Sequence, residues 1–509
     1  MTRLGFLLDS DSCIGCHACT VACKSEHDVP LGVNRTWVKY IETGSFPNVS
    51  RHFSVMRCNH CEDAPCMTIC PTSALFRADN GVVDFDTSLC IGCKGCMNAC
   101  PYDALYVNPA TNTINKCNFC NHRIEVGLEP SCVLVCPTHA IVVGDLDDPT
   151  SSLSALIARN DVAVRAPEQN TSPKVFYRGA SQASLDPLRT RIADDGMIWA
   201  DTTPDHPTIP TGFDPEDPGI VARTAYTTTH PMTWKEKVSG YLVTKAIAGG
   251  TMMVAALLVL LGWGDVQAAV GVVPPMIAGV FLALTGVLLV ADLKQPSRFH
   301  YLLTKSNHSS WLVKGAWVLM VFAVLTAAWW VAGLADAGGA LKVLLVPTAL
   351  AGAAAAGYTA FLFAQCQGRD LWQTPLLLPV LLAQAVTAGG AVFAIMDLFM
   401  DVPAPTAVRW CLLGGVLAIT GLVGTELTAS GTRHVEMAVR SMTRGEYATR
   451  FWWGGVLLGM VVPAVLVIIA LAGSIDSPAL PALAGLSALV GLFAYEDAFV
   501  RAGQSVPLS

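Results

Sequence analysis

Closely spaced cysteines are the residues of this sequence that are most suited to chemistry. Sixteen of its eighteen cysteines lie within the first 136 residues, in four groups of four. Two groups have the full spacing C-x-x-C-x-x-C-x-x-x-C, in which three thiolates surround one iron–sulfur cubane and the fourth reaches a neighbouring cluster. The groups are Cys13, Cys16, Cys19 and Cys23; Cys58, Cys61, Cys66 and Cys70; Cys90, Cys93, Cys96 and Cys100; and Cys117, Cys120, Cys132 and Cys136.

Two other uses of cysteine compete with this interpretation. Structural zinc also takes four thiolates at C-x-x-C spacing, but it requires neither a third Cys two residues on nor the Cys-Pro that closes the second and third groups. Disulfides are typical of exported proteins, and the N-terminal residues MTRLGFLLDSDSC contain neither an apolar signal core nor a twin-arginine pair. We therefore predict iron–sulfur clusters held by reduced thiols.

The rest of the chain must position these clusters, and its composition changes along its length. Asp, Pro and Thr are frequent after the cysteine groups, where few apolar runs could bury a core. From about residue 239 onward, apolar runs reach the length of about 20 residues that crosses a bilayer. We predict eight membrane-spanning helices, at 239–262, 271–292, 312–334, 343–364, 376–396, 410–427, 453–472 and 479–499.

The predicted fold class is an α+β ferredoxin-like domain with four clusters, fused to an all-α bundle of eight transmembrane helices. We place the first domain at 1–180, an extended linker or docking strap at 181–238, and the bundle at 239–509. The net charge of −7 argues against a nucleic-acid partner, because phosphate binding needs a basic surface. Lys and Arg favour the loops on the side of the cluster domain by eleven to two, which predicts an inner-membrane protein with that domain on the cytoplasmic face.

The sequence around the cysteines resembles a known family. The stretches Cys58-Asn-His-Cys-Glu-Asp-Ala-Pro-Cys66, Cys90-Ile-Gly-Cys-Lys-Gly-Cys96 and Ala99-Cys-Pro-Tyr102 are similar to the four-cluster electron-transfer subunit of the dimethyl sulfoxide reductase and polysulfide reductase family. The resemblance covers residues 1 to about 180 and implies four [4Fe–4S] clusters. It implies one cluster on Cys13, Cys16, Cys19 and Cys136, a second on Cys117, Cys120, Cys132 and Cys23, a third on Cys58, Cys61, Cys66 and Cys100, and a fourth on Cys90, Cys93, Cys96 and Cys70.

A second resemblance lies in the apolar part. The motifs Asp292-Leu-Lys-Gln-Pro-Ser-Arg298, Tyr358-Thr-Ala-Phe-Leu362 and Leu371-Trp-Gln-Thr-Pro375 are similar to the eight-helix quinone-reacting anchor of polysulfide reductase. In that family the anchor is usually a separate chain, so its fusion to the cluster domain departs from the common arrangement. The resemblance implies electron exchange with menaquinone or ubiquinone.

Polar residues near the cluster-side ends of the helices are candidates for a quinone site, because ionisable groups inside a bilayer are costly. Tyr358 is the candidate hydrogen-bond donor to a quinone carbonyl, with Asp292 and Arg298 as a buried carboxylate relay and its partner. The other predicted pocket residues are Lys245, His308 and Trp311.

Interfacial anchoring or snorkelling explains each of these polar residues equally well when it is taken singly. His230 and His300 are weaker candidates. No two histidines of the sequence stand at haem-ligand positions in facing predicted helices, so we predict no haem.

These patterns predict an electron-transfer and quinone-reacting subunit of an oxidoreductase complex. No residue set in the sequence suits substrate conversion, and the resemblance implies a separate catalytic subunit with a molybdenum or tungsten bis-pterin. One alternative is a quinol-oxidising module that exchanges electrons with a multihaem cytochrome. Another is a proton-translocating membrane module in which Asp292 and Glu426 form a path.

Overall fold

The computed structural model describes residues 2–192, 198–199, 219–228, 231–262, 268–429, 431–473 and 477–509. Its first domain is built from short strands and short helices around the cysteine loops. The strands are β1 Leu4–Asp9, β2 Trp37–Ser45, β3 Asn48–Met56, β4 Leu75–Arg77, β5 Val83–Phe85, β6 Leu105–Asn108, β7 Thr113–Lys116, β8 Ile141–Asp145, β9 Val162–Ala163, β10 Val175–Arg178, β11 Thr190–Ile192, β12 Ile198–Trp199 and β13 Ala222–Thr227. The helices of this part are α1 Ala18–Glu26, α2 Pro65–Ile69, α3 Gly95–Ala99, α4 Asn121–Ile124, α5 Ser131–Leu134, α6 Ser152–Arg159 and α7 Gln182–Leu185.

One sheet has the strand order β8-β1-β10-β9. Its central strand β1 is the apolar run Leu-Gly-Phe-Leu-Leu, which is buried on both faces. Strand β1 pairs in parallel with β10, joining Phe6 to Val175, and antiparallel to β8. The first strand of the first domain and the strands near its end thus belong to the same sheet. Between them, β4 pairs with β5 and β6 with β7 as small hairpins beside the inner cysteine groups.

The strap predicted at 181–238 contributes strands to a second sheet. This sheet has the order β11-β13-β2-β3, with β12 beside β13. Strand β13 runs antiparallel to β2 and pairs Ala222 with Thr43. The described parts of the strap therefore lie on the cluster domain, while residues 193–197 and 200–218 and the weaker candidate His230 fall outside the described residues.

Among the described residues of the second domain, eight helices are long and apolar enough to cross a membrane, which confirms the predicted number. Two of them begin with a stretch of π-helix, at Ala268–Val272 and Arg450–Val461. The short helices α10 Tyr301–Thr304 and α15 Arg433–Thr443 lie between spans. The spanning helices are α8 Glu236–Leu260, α9 Val273–Asp292, α11 Trp311–Leu334, α12 Gly338–Ala364, α13 Leu377–Met396, α14 Pro405–Thr428, α16 Val462–Leu471 and α17 Ala479–Ser505.

Helix α8 is the centre of the bundle. Its most apolar 18-residue stretch is 89% buried, against 22% for α9 and 28% for α11. Glycines allow its neighbours to approach closely, since a Cβ at Gly250 would lie 1.8 Å from the carbonyl oxygen of Ala385 in α13. Small residues at such contacts are typical of helix packing in lipid. A polar side chain on α8 is therefore shielded from lipid by other helices.

Candidate electron-transfer site at the domain boundary

The inner cysteine groups form two enclosed sets of thiols. Cys70, Cys90, Cys93 and Cys96 line one small cavity. A second small cavity is lined by Cys58, Cys61, Cys66 and Cys100. In each case three cysteines of one group meet the last cysteine of the other, because α2 and α3 pack against each other.

The outer groups are interleaved in the same domain. Cys19 and Cys132 belong to one buried cluster together with Phe119, and the partly buried Cys13 and Cys136 pack against it. Cys23 faces Cys117, Cys132 and Cys120 at electrostatic range. None of the eighteen cysteines forms a disulfide bond.

The surroundings of these thiols suit iron–sulfur clusters. Cluster sulfurs and thiolates accept hydrogen bonds, and backbone N–H groups point at several of the thiols: Ala140 N lies 3.2 Å from Cys136 Sγ, and Ile114 N lies 3.4 Å from Cys90 Sγ. The Arg57 guanidinium, fully buried, donates to Cys132 Sγ at 3.5 Å. Burial raises the pKa of the Cys96 thiol well above its usual value, so the positive charge of iron is what would keep it a thiolate.

The thiols of Cys70, Cys90, Cys93 and Cys96, which we call the boundary set, are held directly by the membrane domain. The loop after α9 runs beside the Cys90–Cys93 turn: Lys294 N donates to Gly92 O and Gln295 N to Ile91 O, both at 3.1 Å. Arg298 Nη1 donates to the carbonyl of Cys90 at 2.9 Å. Gly92 has a φ of +68°, and a Cβ there would lie 2.6 Å from the Cβ of Lys294, so glycine permits this approach.

The same loop also holds the Cys70 end of the boundary set. Asn307 Nδ2 donates to Cys70 O at 2.8 Å, and Ser310 Oγ donates to Ile69 O at 2.7 Å. On the opposite side, the Trp234 indole N–H donates to Cys93 O at 3.1 Å. Trp234 stacks on Trp372 and Phe363, with ring centroids 5.5 and 5.8 Å away. The boundary set is thus seated on the bundle by polar and aromatic contacts.

Two of the predicted quinone residues meet inside the bundle. Lys245, fully buried in α8, places its ammonium 4.8 Å from the ring centroid of Tyr358 in α12. The ammonium donates to Ala356 O at 2.7 Å and to the hydroxyl of Thr359. Lys245 therefore does not reach the headgroups, as snorkelling would require.

A further predicted residue, Trp311, lies one turn away from Lys245 and Tyr358 and nearer the cluster side. Trp311 stacks on Phe361, with centroids 4.4 Å apart. Tyr358 itself packs against Gly315, one turn after Trp311 in α11, where a Cβ would lie 2.2 Å from the ring. Trp311 is therefore in the same helix pair as Tyr358 but in a more exposed layer.

The remaining predicted residues lie at the domain boundary. The Asp292 carboxylate pairs with Lys94 of the cluster domain at 2.9 Å, so the predicted pairing of Asp292 with Arg298 is wrong. Arg298 instead donates to the carbonyls of Thr87 and Cys90. His308 is exposed. Asp292 and Arg298 lie at the domain boundary because α9 ends at Asp292, and the loop that follows contacts the cluster domain.

Sequence reasoning missed a buried carboxylate within electrostatic range of Lys245. Glu496 of α17 is buried, accepts a hydrogen bond from Gln384 Nε2 at 2.6 Å, and lies within electrostatic range of Lys245. Its second carboxylate oxygen has no hydrogen-bond partner among the described residues. The acidic pair Glu496–Asp497 inside an apolar run was the available signal.

A cavity of about 960 Å³ lies elsewhere on the boundary, between the Cys61–Cys70 loop and the ends of α13 and α14. Glu426, near the end of α14, lines it. Lys245 and Tyr358 are not among its lining residues. Glu426 and the Lys245 group therefore occupy different parts of the structure.

The fold and the thiols define a multi-pass membrane protein with an N-terminal iron–sulfur domain. The family model described as "Polysulphide reductase, NrfD" matches residues 225–507. Models described as a 4Fe-4S dicluster domain and a 4Fe-4S binding domain match residues 49–146 and 10–29. This protein belongs to the polysulphide reductase NrfD family and carries a 4Fe–4S domain fused in front of the family's membrane domain.

Three curated relatives each match about a third of the sequence. One subunit of tetrathionate reductase from Salmonella typhimurium is 40% identical over 193 residues, which cover 37% of this chain and 77% of the relative. The thiosulfate reductase electron transfer subunit PhsB of Salmonella typhi is 43% identical over 175 residues, which cover 34% of this chain and 90% of the relative. One subunit of polysulfide reductase from Wolinella succinogenes is 40% identical over 177 residues, which cover 34% of this chain and 93% of the relative. The N-terminal domain is thus an iron–sulfur electron-transfer domain of reductase complexes.

The pair Asp292–Lys94 predicts how the two domains stay docked. Both side chains are largely shielded, with exposures of 16% and 6%. Burial lowers the pKa of Lys94, and the Asp292 carboxylate opposes that shift. We expect Asp292→Asn to leave a buried ammonium unpaired and to lower stability by about 3–5 kcal/mol. Denaturant titration, with protease release of the N-terminal domain as a second probe, measures this loss.

A matched control is Glu236→Gln, which breaks the pair of Glu236 with Arg501. Glu236 is 62% exposed in that pair, so the loss should stay within about 1 kcal/mol. The double variant Lys94→Gln/Asp292→Asn removes both charges and should recover much of the stability. Equal losses for Asp292→Asn and Glu236→Gln would show that the buried pair does not hold the domains together.

Proposed function

We propose that this protein relays electrons through four [4Fe–4S] clusters between a separate catalytic subunit and a membrane quinone. The observation that carries the proposal is the seating of the boundary set of thiols directly on the bundle, through hydrogen bonds to the loop after α9. A cluster held there lies between the polar domain and the spanning helices. The other thiol sets extend from it into the N-terminal domain.

The proposed ligand sets follow the packing of the thiols. The inner clusters take Cys90, Cys93, Cys96 with Cys70, and Cys58, Cys61, Cys66 with Cys100, which the shared cavities support. The outer clusters take Cys13, Cys16, Cys19 with Cys136, and Cys117, Cys120, Cys132 with Cys23. When bound, the clusters supply one-electron transfer at potentials set by burial and by hydrogen bonds to sulfur.

We place the quinone headgroup beside Tyr358 and Lys245. A quinone carbonyl accepts hydrogen bonds, and two buried groups supply donors here: the ammonium of Lys245, which lies 4.8 Å from the ring centroid of Tyr358, and the phenol of Tyr358 itself. The stacked pair Trp311–Phe361 lies one turn away, and Phe361 is 40% exposed toward the outside of the bundle, which suits entry from the lipid. Asp292 and Arg298 lie at the boundary and hold the cluster domain. His308 is exposed and faces outward.

Quinone reduction takes up two protons for two electrons, so the headgroup needs proton carriers. Glu496 is a buried carboxylate within electrostatic range of Lys245, and Gln384 orients it by a hydrogen bond at 2.6 Å. Lys245 at the carbonyl and Glu496 behind it would hold the protons that the reaction takes up or releases. Menaquinone and ubiquinone both carry the required pair of carbonyl oxygens.

The catalytic partner is proposed from the relatives. The matching subunits of tetrathionate, thiosulfate and polysulfide reductase are, by their names, parts of reductases. We propose a molybdenum or tungsten bis-pterin subunit as the partner of this chain. For the membrane orientation we propose the cytoplasmic face of the inner membrane, on the basis of the Lys and Arg bias.

Removing the donors at the quinone site should slow quinone turnover without loss of clusters. We expect Tyr358→Phe and Lys245→Met each to lower the turnover by about a hundredfold, because each removes a donor to the oxygen on which charge develops. The measurement is quinol-dependent reduction of the clusters, with their electron paramagnetic resonance spectra recorded before the reaction. Lys342→Met, an exposed lysine at the opposite end of α12, is the control and should retain wild-type turnover. Wild-type turnover in both site variants would refute the proposed site.

Removing one thiol of the boundary set should remove one cluster. We expect Cys70→Ser to lower the iron content by about four atoms per molecule. Iron and zinc are measured by elemental analysis of the purified protein. Cys411→Ser, a half-buried cysteine of α14 outside the four groups, should keep the full iron content. Zinc in place of iron in the wild type would contradict the cluster assignment.

The partner is tested by isolating the complex from its native membrane through an affinity tag on this chain. We expect a second, larger polypeptide that carries molybdenum or tungsten with pterin, since the sequence lacks a predicted site for substrate conversion. Elemental analysis and pterin fluorescence identify it. A multihaem cytochrome in the complex and no pterin would overturn the proposed partner and leave the electron-transfer role in place.

A further inference from the structure

A basic cavity of about 670 Å³ lies between the cluster domain and the first two spanning helices. Its walls are the start of α8, the end of α9 with the residues that follow, and the polar domain from Asp103 to Asn112. The lysines that line it are Lys94, Lys235, Lys237 and Lys294. Since α8 begins and α9 ends here, the cavity is at the level of the membrane surface on the cluster side.

The carboxylates in the cavity wall are already paired. Asp292 pairs with Lys94 at 2.9 Å, and the other two acids, Glu236 and Asp103, pair with Arg501 and Arg369. Among the described residues, Lys237 and Lys294 face no carboxylate at ion-pair distance. Both are exposed.

The ammonium group of Lys237 also has N–H groups that are not used in hydrogen bonds within the described part of the protein. Lys237 Nζ donates to Ala291 O at 2.8 Å and keeps further N–H groups for a ligand. Among the described residues, the cavity wall therefore carries excess positive charge and donors that are available to a ligand. A ligand with a phosphate group and its several acceptor oxygens fits it.

An apolar stripe leads away from the cavity along the outside of α9. Met276, Val280, Leu284 and Val287 are each more than 40% exposed and stand at helical spacing on one face. The stripe continues to the exposed Ala291, whose carbonyl accepts the hydrogen bond from Lys237. A free phosphate would make no contact with such a surface, whereas the acyl chains of a lipid would cover it.

We propose that this cavity binds an anionic phospholipid, with the phosphate between Lys237 and Lys294 and the acyl chains along α9. The site is independent of the quinone site. Because Lys294 N also hydrogen-bonds the carbonyl of Gly92, the bound headgroup lies against the turn that holds Cys90 and Cys93. The lipid thus joins the boundary set of thiols to the membrane surface and stabilises the docked cluster domain.

The test compares lipid retention by native mass spectrometry on the full chain with its clusters. Detergent-solubilised protein is titrated with phosphatidylglycerol, with zwitterionic phosphatidylcholine, or with inorganic phosphate. We expect the wild type to retain phosphatidylglycerol in preference to phosphatidylcholine and to gain thermal stability from it. Lys237→Gln/Lys294→Gln should bind phosphatidylglycerol about thirtyfold more weakly, since each lysine near a lipid phosphate contributes about 1 kcal/mol.

Two further variants separate charge from fold. Lys305→Gln/Lys342→Gln removes the same number of charges outside the cavity and should retain the lipid, because Lys305 packs over the Tyr301 ring and Lys342 lies at the opposite end of α12. Lys237→Arg/Lys294→Arg keeps the charge and should retain the lipid as well. If the Gln variant fails to fold, the lipid preference of the wild type and of the Arg variant decides the matter.

Three results would overturn the proposal. The first is equal retention of phosphatidylglycerol and phosphatidylcholine by the wild type. The second is equal phosphatidylglycerol binding by the wild type and a folded Gln variant. The third is displacement of the lipid by inorganic phosphate at comparable concentration, which would identify a site for a free anion.

Discussion

The hydrogen bonds between the loop after α9 and the cysteine turns are the interaction on which the arrangement of this protein depends. When the polar domain lies on the bundle, the backbone carbonyls of Ile91, Gly92 and Cys70 lose access to water and need other donors. Lys294, Gln295 and Asn307 supply them. Because each carbonyl has its own partner, a small displacement of the domain would break several hydrogen bonds at once. The distance from the boundary set of thiols to the spanning helices is thereby held constant.

Charged residues in the membrane domain divide according to what surrounds them. Asp292 and Arg298 are used at the boundary, where the other domain supplies an ammonium or backbone carbonyls as partners. Lys245 and Glu496 are inside, with neutral hydrogen-bond partners and each other at electrostatic range. Burying such groups is unfavourable unless they are paired and hydrogen-bonded. The first set has a structural role that the packing explains, and the second is the better candidate for chemistry.

The two fused domains are held together by non-covalent contacts as well as by the chain that connects them. Strand β13, from the strap, adds to the sheet of the cluster domain shortly before the chain enters the membrane as α8. The end of the chain returns to the same place, since Arg165 donates to Leu508 O at 2.6 Å and Gln504 hydrogen-bonds Trp234. The boundary is thus closed by segments far apart in sequence. The basic cavity beside α9 is an open part of this boundary, and it is where we propose that lipid binds.

Local patterns in the sequence were sufficient for the cysteine groups and for the spanning helices. C-x-x-C spacing determines the shape of a turn within a few residues, and apolar length alone decides whether a helix can cross a bilayer. The contacts of Asp292, Lys245 and Glu496 could not be predicted in this way. Asp292 meets Lys94 across 198 positions, and Lys245 meets Thr359 across 114. Each residue turns a helix by about 100°, so uncertainty of one or two residues in a helix boundary leaves open which side chains face each other. The cysteine spacing and the apolar runs therefore determined what kind of protein this is, and only the packing of the helices and loops decided which polar side chains meet.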